Sequence, residues 1–146
     1  MTNPVYFEDP RNLSEARFIF AHHTLPNRAP LAGGSVNVMA LQLRAKVTER
    51  LSIIATKDGY IQFNPKNSAV GNDQDGWADI AAGFKYALID NRAAEFILTP
   101  GFTIELPTGN ERVFQGNGKG EWNFFVSAAK GFDNLHLTAN VGARIP

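Results

Sequence analysis

Apolar and polar residues alternate along most of the chain with a period of two. The clearest stretch is 135–144, where Leu135, Leu137 and three later apolar residues share one face. A period of two is the pattern of a β-strand whose two faces differ in environment. The same alternation predicts strands over 17–23, 39–47, 51–58, 78–88, 98–106 and 122–131. We therefore expect an all-β chain.

The connections between these predicted strands alternate in length. Short segments at 48–50, 89–95 and 132–134 alternate with long polar ones at 24–34, 59–76 and 107–121. Up-and-down membrane barrels have short periplasmic turns and longer extracellular loops. Strands of about 9–11 residues also match the length that crosses a bilayer when tilted. The pattern predicts an antiparallel up-and-down meander of about seven strands, part of a transmembrane outer-membrane β-barrel.

The alternation begins only after the first 14 residues. We expect residues 1–14 to form an N-terminal periplasmic segment and residues 15–146 to form the barrel. Residues 1–12 lack the apolar core of a secretory signal, which counts against a complete outer-membrane protein and is neutral for a mature form or a fragment. Single-chain bacterial barrels have an even number of strands, at least eight. Seven strands therefore predict an incomplete barrel with free edges at its first and last strands.

Composition narrows the possible functions. The formal net charge is zero, which gives no electrostatic argument for binding nucleic acid. The chain has no cysteine, so disulfides and thiolate metal sites are excluded. No stretch approaches the roughly 20 apolar residues of a membrane-spanning helix. A mean hydropathy of -0.19 is compatible with strands that alternate apolar and polar residues.

In a membrane barrel the apolar face contacts lipid and the polar face lines the lumen. The residues expected on the outer surface include Leu41, Phe84, Ile104 and Leu137. Lys57 and Lys130 are the charged residues in phase with this surface, and both lie near strand ends where a lysine can reach the interface. Aromatic residues, among them Trp77 and Trp122, fall near the strand ends, as in an interfacial girdle.

The polar face supplies the candidate functional residues. By phase, those expected to line the lumen are Arg44, Asp58, Asp79, Lys85, Glu105, Asn123, His136, Asn140 and Arg144. Mixed charge there fits a water-filled pore, and it equally fits cross-strand ion pairs that close a small barrel.

The sequence gives little support for a metal site or for catalysis. The acidic segment 72–76 is not an EF-hand, because Gly71 and Ala82 occupy positions that need carboxylates. A looser calcium site formed by Asp73, Asp75 and Asp79 is a weak alternative to a solvated acidic loop. No serine has a nucleophile-elbow context, so we expect no enzymatic activity and no cofactor.

Several short motifs resemble a known family. They are NVMALQLR at 37–44, IATKDGY at 54–60, DGWADIAAGFKY at 75–86, ELPTG at 105–109 and FQGNG at 114–118. Together they resemble the transporter-like outer-membrane proteins grouped with the MetA-pathway phenol-degradation family. The resemblance covers about residues 15–146. It implies an outer-membrane barrel in which a strand ending in Pro-Thr-Gly opens an extracellular loop.

We therefore expect a channel or transporter-like barrel in the bacterial outer membrane for passive passage of small, hydrophobic or aromatic molecules. The expected partners are the lipid bilayer and small solutes. One alternative is a soluble antiparallel β-barrel that binds a small ligand in its interior. Another is a structural outer-membrane barrel without transport. The direction of the apolar face discriminates between the membrane and the soluble alternatives, since a soluble barrel would turn its apolar residues inward.

Overall fold

The computed structural model describes residues 7–28, 32–67 and 72–146. Within them the regular structure is a single sheet, together with one short 3-10 turn at Glu111–Val113. The strands are Glu15–Thr24 (β1), Gly34–Lys46 (β2), Leu51–Pro65 (β3), Gln74–Trp77 (β4), Ile80–Tyr86 (β5), Ile89–Asn91 (β6), Phe96–Leu106 (β7), Glu121–Phe132 (β8) and Leu135–Ile145 (β9).

The strands form an antiparallel meander. Their order is β1-β2-β3-β5-β7-β8-β9, with β4 beside β3 and β6 beside β7. β4, β5 and β6 lie one after another in a single position between β3 and β7, so the nine strands occupy seven positions in the sheet. The predicted all-β meander is therefore confirmed, and the sheet is curled like half a barrel.

The β3 strand runs further than predicted. The alternation ends in the sequence near residue 58, yet residues 60–63 pair with 74–77 of β4. The extension forms because Ile61 and Phe63 again occupy alternate positions and pack inward. The segment predicted as a loop at 59–76 is consequently much shorter, although long and short connections still alternate along the chain.

A β-bulge in the middle of β3 explains why the sequence pattern breaks there. Ala55 pairs with Ala82 and Lys57 with Ala81, which leaves Thr56 as an extra residue. One extra residue moves every later side chain to the opposite face. Lys57 therefore lies on the concave face, contrary to the prediction. Asp58, predicted to face the lumen, instead pairs with the outward-facing Leu41.

The convex face of the sheet is apolar and exposed. Leu41, Phe84 and Leu137 have 40%, 44% and 53% of their surface accessible, as the phase predicted, while Ile104 is half-buried. An aromatic cluster crosses this face, with Phe102 lying 5.8 Å from Phe84 and 6.1 Å from Trp122 between ring centroids. Exposed apolar surface of this extent is unusual for a water-soluble monomer.

The concave face is polar and largely buried. Arg44, Lys85, Thr99 and Ser127 are each at most 5% exposed. The buried apolar cluster is small and lies at the long-connection end, where Leu25, Phe63 and Val113 pack together. Many large apolar side chains are thus exposed, while several polar ones are buried.

The two outer strands of the sheet are free edges. Within the described residues, β1 pairs only with β2 and β9 pairs only with β8, so the sheet does not close on itself. The predicted free edges at the first and last strands are present.

Candidate functional site

The N-terminal segment, residues 7–14, lies across the concave face of the sheet. Hydrogen bonds hold it to three strands in succession. The Thr99 Oγ1 donates to the Pro10 carbonyl at 2.6 Å, and the Ser52 hydroxyl donates to the Asn12 side-chain oxygen. At the end of the segment, the backbone N–H of Lys46 donates to Ser14 Oγ at 3.1 Å. The segment therefore fills part of the space that the strand pattern alone assigned to a lumen.

A buried carboxylate is the centre of this contact. Glu8 accepts hydrogen bonds from Arg44 Nε and Nη2, both at 2.8 Å, and from Lys85 Nζ at 2.7 Å. The side chains of Arg44 and Lys85 are 3% and 1% exposed. Each oxygen of the carboxylate thus contacts a cation, in the forked arrangement that guanidinium groups favour.

The neighbours of this ion cluster come from both the sheet and the segment. Arg44 also contacts Glu15 of β1 at 3.2 Å, and Lys85 donates to the Asp9 carbonyl at 2.7 Å. Burial alone would raise the pKa of Asp9, but hydrogen bonds and charge from Arg11 outweigh it and lower that pKa below 3.8. The Asp9 carboxylate also raises the pKa of Arg11.

A second ion cluster lies nearer the long connections. Lys57 Nζ lies 2.5 Å from Glu105 Oε1 and 4.0 Å from Asp79 Oδ2. Beside it, the Asn123 amide lies 3.4 Å from the hydroxyl of Thr103. The bulge in β3 creates this cluster, because it turns Lys57 toward the residues expected to line the lumen.

Two cavities remain on the concave side, one on each side of the N-terminal segment. The smaller, about 120 Å³, is lined by Arg44, Lys57 and Glu105 among others. The larger, about 660 Å³, opens near the short connections and is lined by residues that include His136. Phe7 lines both cavities, so the segment separates them.

Asp79 organises a loop. Its Oδ1 accepts hydrogen bonds from the backbone N–H groups of Gly109 and Gly116, at 2.9 and 2.8 Å. Among the described residues, no three acidic or histidine side chains come together as a metal site. The weak calcium possibility at Asp73, Asp75 and Asp79 therefore finds no geometric support, and Asp79 is better explained as the anchor of the 107–120 connection.

The candidate residues of β9 lie apart from the ion cluster around Glu8. Asn140 donates to Ser127 Oγ at 2.6 Å, and Arg144 lies 3.4 Å from Glu121. His136 is exposed at the rim of the larger cavity. Of the nine residues predicted to line the lumen, Arg44 and Lys85 form one cluster, and Glu105 and Asp79 share the other with Lys57.

The sequence interpretation missed Glu8, the residue that joins the two buried cations. Nothing in the period of the strands could have found it, because residues 7–14 have no alternation and their position depends on contacts distant in sequence. The interpretation also missed Thr99 and Ser52, although the alternation places both among the polar positions of their strands. In this arrangement Arg44 and Lys85 both contact the carboxylate of Glu8.

Comparisons with known proteins add no assignment. No protein-family model, no curated protein and no solved structure matches the chain. No helix in the described parts of the chain is long and apolar enough to cross a membrane. The resemblance to the phenol-degradation family therefore stays a prediction.

Proposed function

We propose that this chain forms part of the wall of a bacterial outer-membrane β-barrel, through which small molecules pass passively. The observation that supports this most is the reversed distribution of residues. Apolar side chains cover the convex face, while Arg44 and Lys85 are buried on the concave face. Lipid is the solvent in which such an arrangement is favourable, since the apolar face gains contacts and the polar lumen keeps its partners.

The dimensions of the apolar face support the same proposal. β8 has 12 residues. At about 3.4 Å per residue and a tilt of about 40°, a strand of that length covers about 30 Å of the membrane normal, compared with about 25 Å for the apolar band of outer-membrane barrels. Toward the long connections, Tyr60 packs edge-on against Trp77 with 5.3 Å between ring centroids. Such a pair suits the headgroup region.

Asp58 is, with Lys130, a charged residue on the convex face that a membrane must accommodate. It lies two positions from Tyr60, near the proposed interface. Acidic groups cost less there than at the centre of the bilayer. The free edges of β1 and β9 are where further strands would pair, because unpaired backbone groups in lipid cost several kcal/mol each.

The polar concave face favours polar solutes over the hydrophobic ones suggested by the sequence. Hydroxyls, amides and ion pairs line its cavities beside apolar side chains such as Ile54 and Phe125. An apolar solute would have to displace water from the polar groups without replacing their hydrogen bonds. The soluble alternative would need the opposite arrangement, with apolar side chains inside. Burial of the large apolar residues of the convex face against protein would be the mark of that alternative.

Surface labelling tests the proposal. Lys119→Cys lies in the long 107–120 connection and Glu49→Cys in a short turn, and both positions are exposed. The chain has no native cysteine. In intact cells that express the gene, a membrane-impermeant maleimide should label Lys119→Cys. It should label Glu49→Cys only after the outer membrane is permeabilised.

Labelling of both variants only after complete lysis would contradict an outer-membrane location. Labelling of Glu49→Cys alone in intact cells would reverse the proposed orientation.

A further inference from the structure

Arg44 and Lys85 together form a carboxylate-binding arrangement on the concave face. They stand on β2 and β5, and both reach the same carboxylate with three hydrogen bonds of 2.7 to 2.8 Å. That carboxylate belongs to Glu8, which is not part of the sheet. We propose that Arg44 and Lys85 form a binding site for small carboxylates, and that Glu8 occupies it as a tethered competitor.

The charges of the sheet favour an anion at this position. Without the segment, Arg44 would keep only Glu15, at 3.2 Å, as an anionic contact. Both hydrogen bonds of Lys85 go to the segment, one to Glu8 and one to the Asp9 carbonyl. The nearby Lys57 and Glu105 neutralise each other. The sheet alone therefore presents two cations with a single acidic side chain, Glu15, in contact with them.

A cavity gives a solute room to reach Arg44, whereas Lys85 lines neither cavity and is 1% exposed. The smaller cavity is lined by both Glu8 and Arg44, and the larger cavity begins on the other side of Phe7. The remaining contacts of the segment with the sheet are mostly single hydrogen bonds, such as those from Thr99 and Ser52. Exchange of Glu8 for a free carboxylate would keep the ion pairing, and its cost would be these weaker contacts and the burial of Pro10.

The tether determines how strongly Glu8 competes. A group on a short flexible linker acts at an effective concentration in the millimolar range. A small carboxylate should therefore bind the unmodified protein weakly, and more tightly once Glu8 is neutral. The inference depends on the concave face alone, so it does not require the proposed membrane location.

Titration with benzoate tests the site. We expect the Kd for benzoate to be at least about tenfold lower in Glu8→Gln than in the unmodified protein, because the tethered competitor is removed. Benzamide has the same shape without the charge and should bind neither protein. Glu49→Gln, which removes an exposed carboxylate in a turn, should leave the Kd unchanged. An equal Kd in Glu8→Gln and the unmodified protein, or equal binding of benzamide, would overturn the proposal.

A second measurement needs no variant and so remains decisive if Glu8→Gln fails to fold. In the unmodified protein, saturating benzoate should increase hydrogen–deuterium exchange of the backbone amides of residues 8–14, whereas benzamide should not. Unchanged exchange at saturating benzoate would show that the carboxylate does not displace the segment. Neither result depends on labelling at the cell surface, so this proposal and the proposed function can fail separately.

Discussion

Buried charge on the concave face is expensive unless every charge has a partner. Lys85 is 1% exposed and lies between the Glu8 carboxylate and the Asp9 carbonyl. Removing water from an ion costs several kcal/mol, and only close pairing offsets that cost. The described part of the chain has no buried side-chain polar atom without a hydrogen-bond partner. The ion cluster around Glu8 should therefore be sensitive to loss of any member.

Lys85→Met should destabilise the folded protein by about 3 kcal/mol, because it leaves buried acceptors without their cation. Lys46→Met is the matched control, since Lys46 pairs with Glu49 at 2.9 Å in an exposed turn. Its loss should cost much less, because exposed ion pairs contribute little to stability. Urea unfolding in lipid vesicles measures both. Equal losses in the two variants would mean that the ion cluster does not stabilise the fold.

Asp9 should make the stability of the folded protein depend on pH. Its pKa is lowered below 3.8, because contacts with Arg11 outweigh burial. Because the pKa is lowered in the folded state, the stabilisation is present above pH 3.8 and is lost as the pH falls through the pKa of folded Asp9. Arg11 is 66% exposed, so the effect should be below about 1 kcal/mol.

Comparison of Asp9→Asn with the unmodified protein isolates this effect. The unmodified protein should be the more stable of the two at pH 7, and the difference should vanish well below pH 3.8. Urea midpoints at neutral and acid pH provide the measurement. A difference of the same size at both pH values would exclude ionisation of Asp9 as its source.

At the scale of elements, one side chain holds the long connection 107–120 at two points. Asp79, between β4 and β5, accepts the N–H groups of Gly109 and Gly116. Beneath it, Val113 fills the small apolar cluster with Phe63. The connection therefore covers the long-connection end of the concave face as a packed structure.

Asp79→Ala should loosen this connection, because two backbone donors lose a charged acceptor, each contact contributing about 1.5–3 kcal/mol. Asp79→Asn keeps an oxygen at Oδ1 that can accept both bonds, so it should change little. Trypsin can cut the connection after Arg112 or Lys119, both of them exposed. Faster cleavage is expected in Asp79→Ala only. Equally fast cleavage in Asp79→Asn would show that the negative charge, and not the oxygen position, orders the connection.

At the scale of the whole molecule, the sheet has one strongly apolar surface and little apolar interior. Residues such as Phe18, Val141 and Trp77 are 69%, 75% and 67% exposed, while the buried apolar cluster has few members. The hydrophobic effect stabilises a fold in proportion to the apolar area removed from water. Contact of the convex face with lipid would supply that burial.

Tryptophan quenching tests contact of the convex face with lipid. The chain has two tryptophans, Trp77 and Trp122. Both lie on the sheet next to long connections. In vesicles with brominated lipids, each single-tryptophan variant, Trp122→Phe and Trp77→Phe, should be quenched more by bromine near the headgroups than by bromine deep in the acyl chains. Vesicles of unbrominated lipid are the control. Emission unaffected by bromine at any depth would contradict membrane insertion.

The local pattern of the sequence determined the strands, their antiparallel order and the alternation of connection lengths. These follow from contacts between neighbours in the chain, which a period of two and turn residues encode directly. The phase also identified Arg44 and Lys85 as members of one face. The phase is wrong beyond Thr56, because one extra residue places Lys57 and Asp58 on the faces opposite to those predicted. A bulge depends on the partner strand, so the pattern of β3 alone could not show it.

Only the tertiary structure decided which face is inside and what fills it. Alternation is symmetric, so the same sequence could curl either way until the chain folds. The position of Glu8 between Arg44 and Lys85 depends on residues 36 and 77 positions apart in the chain. Such contacts leave no local signal, because they form only after the strands that bear the two cations have come together.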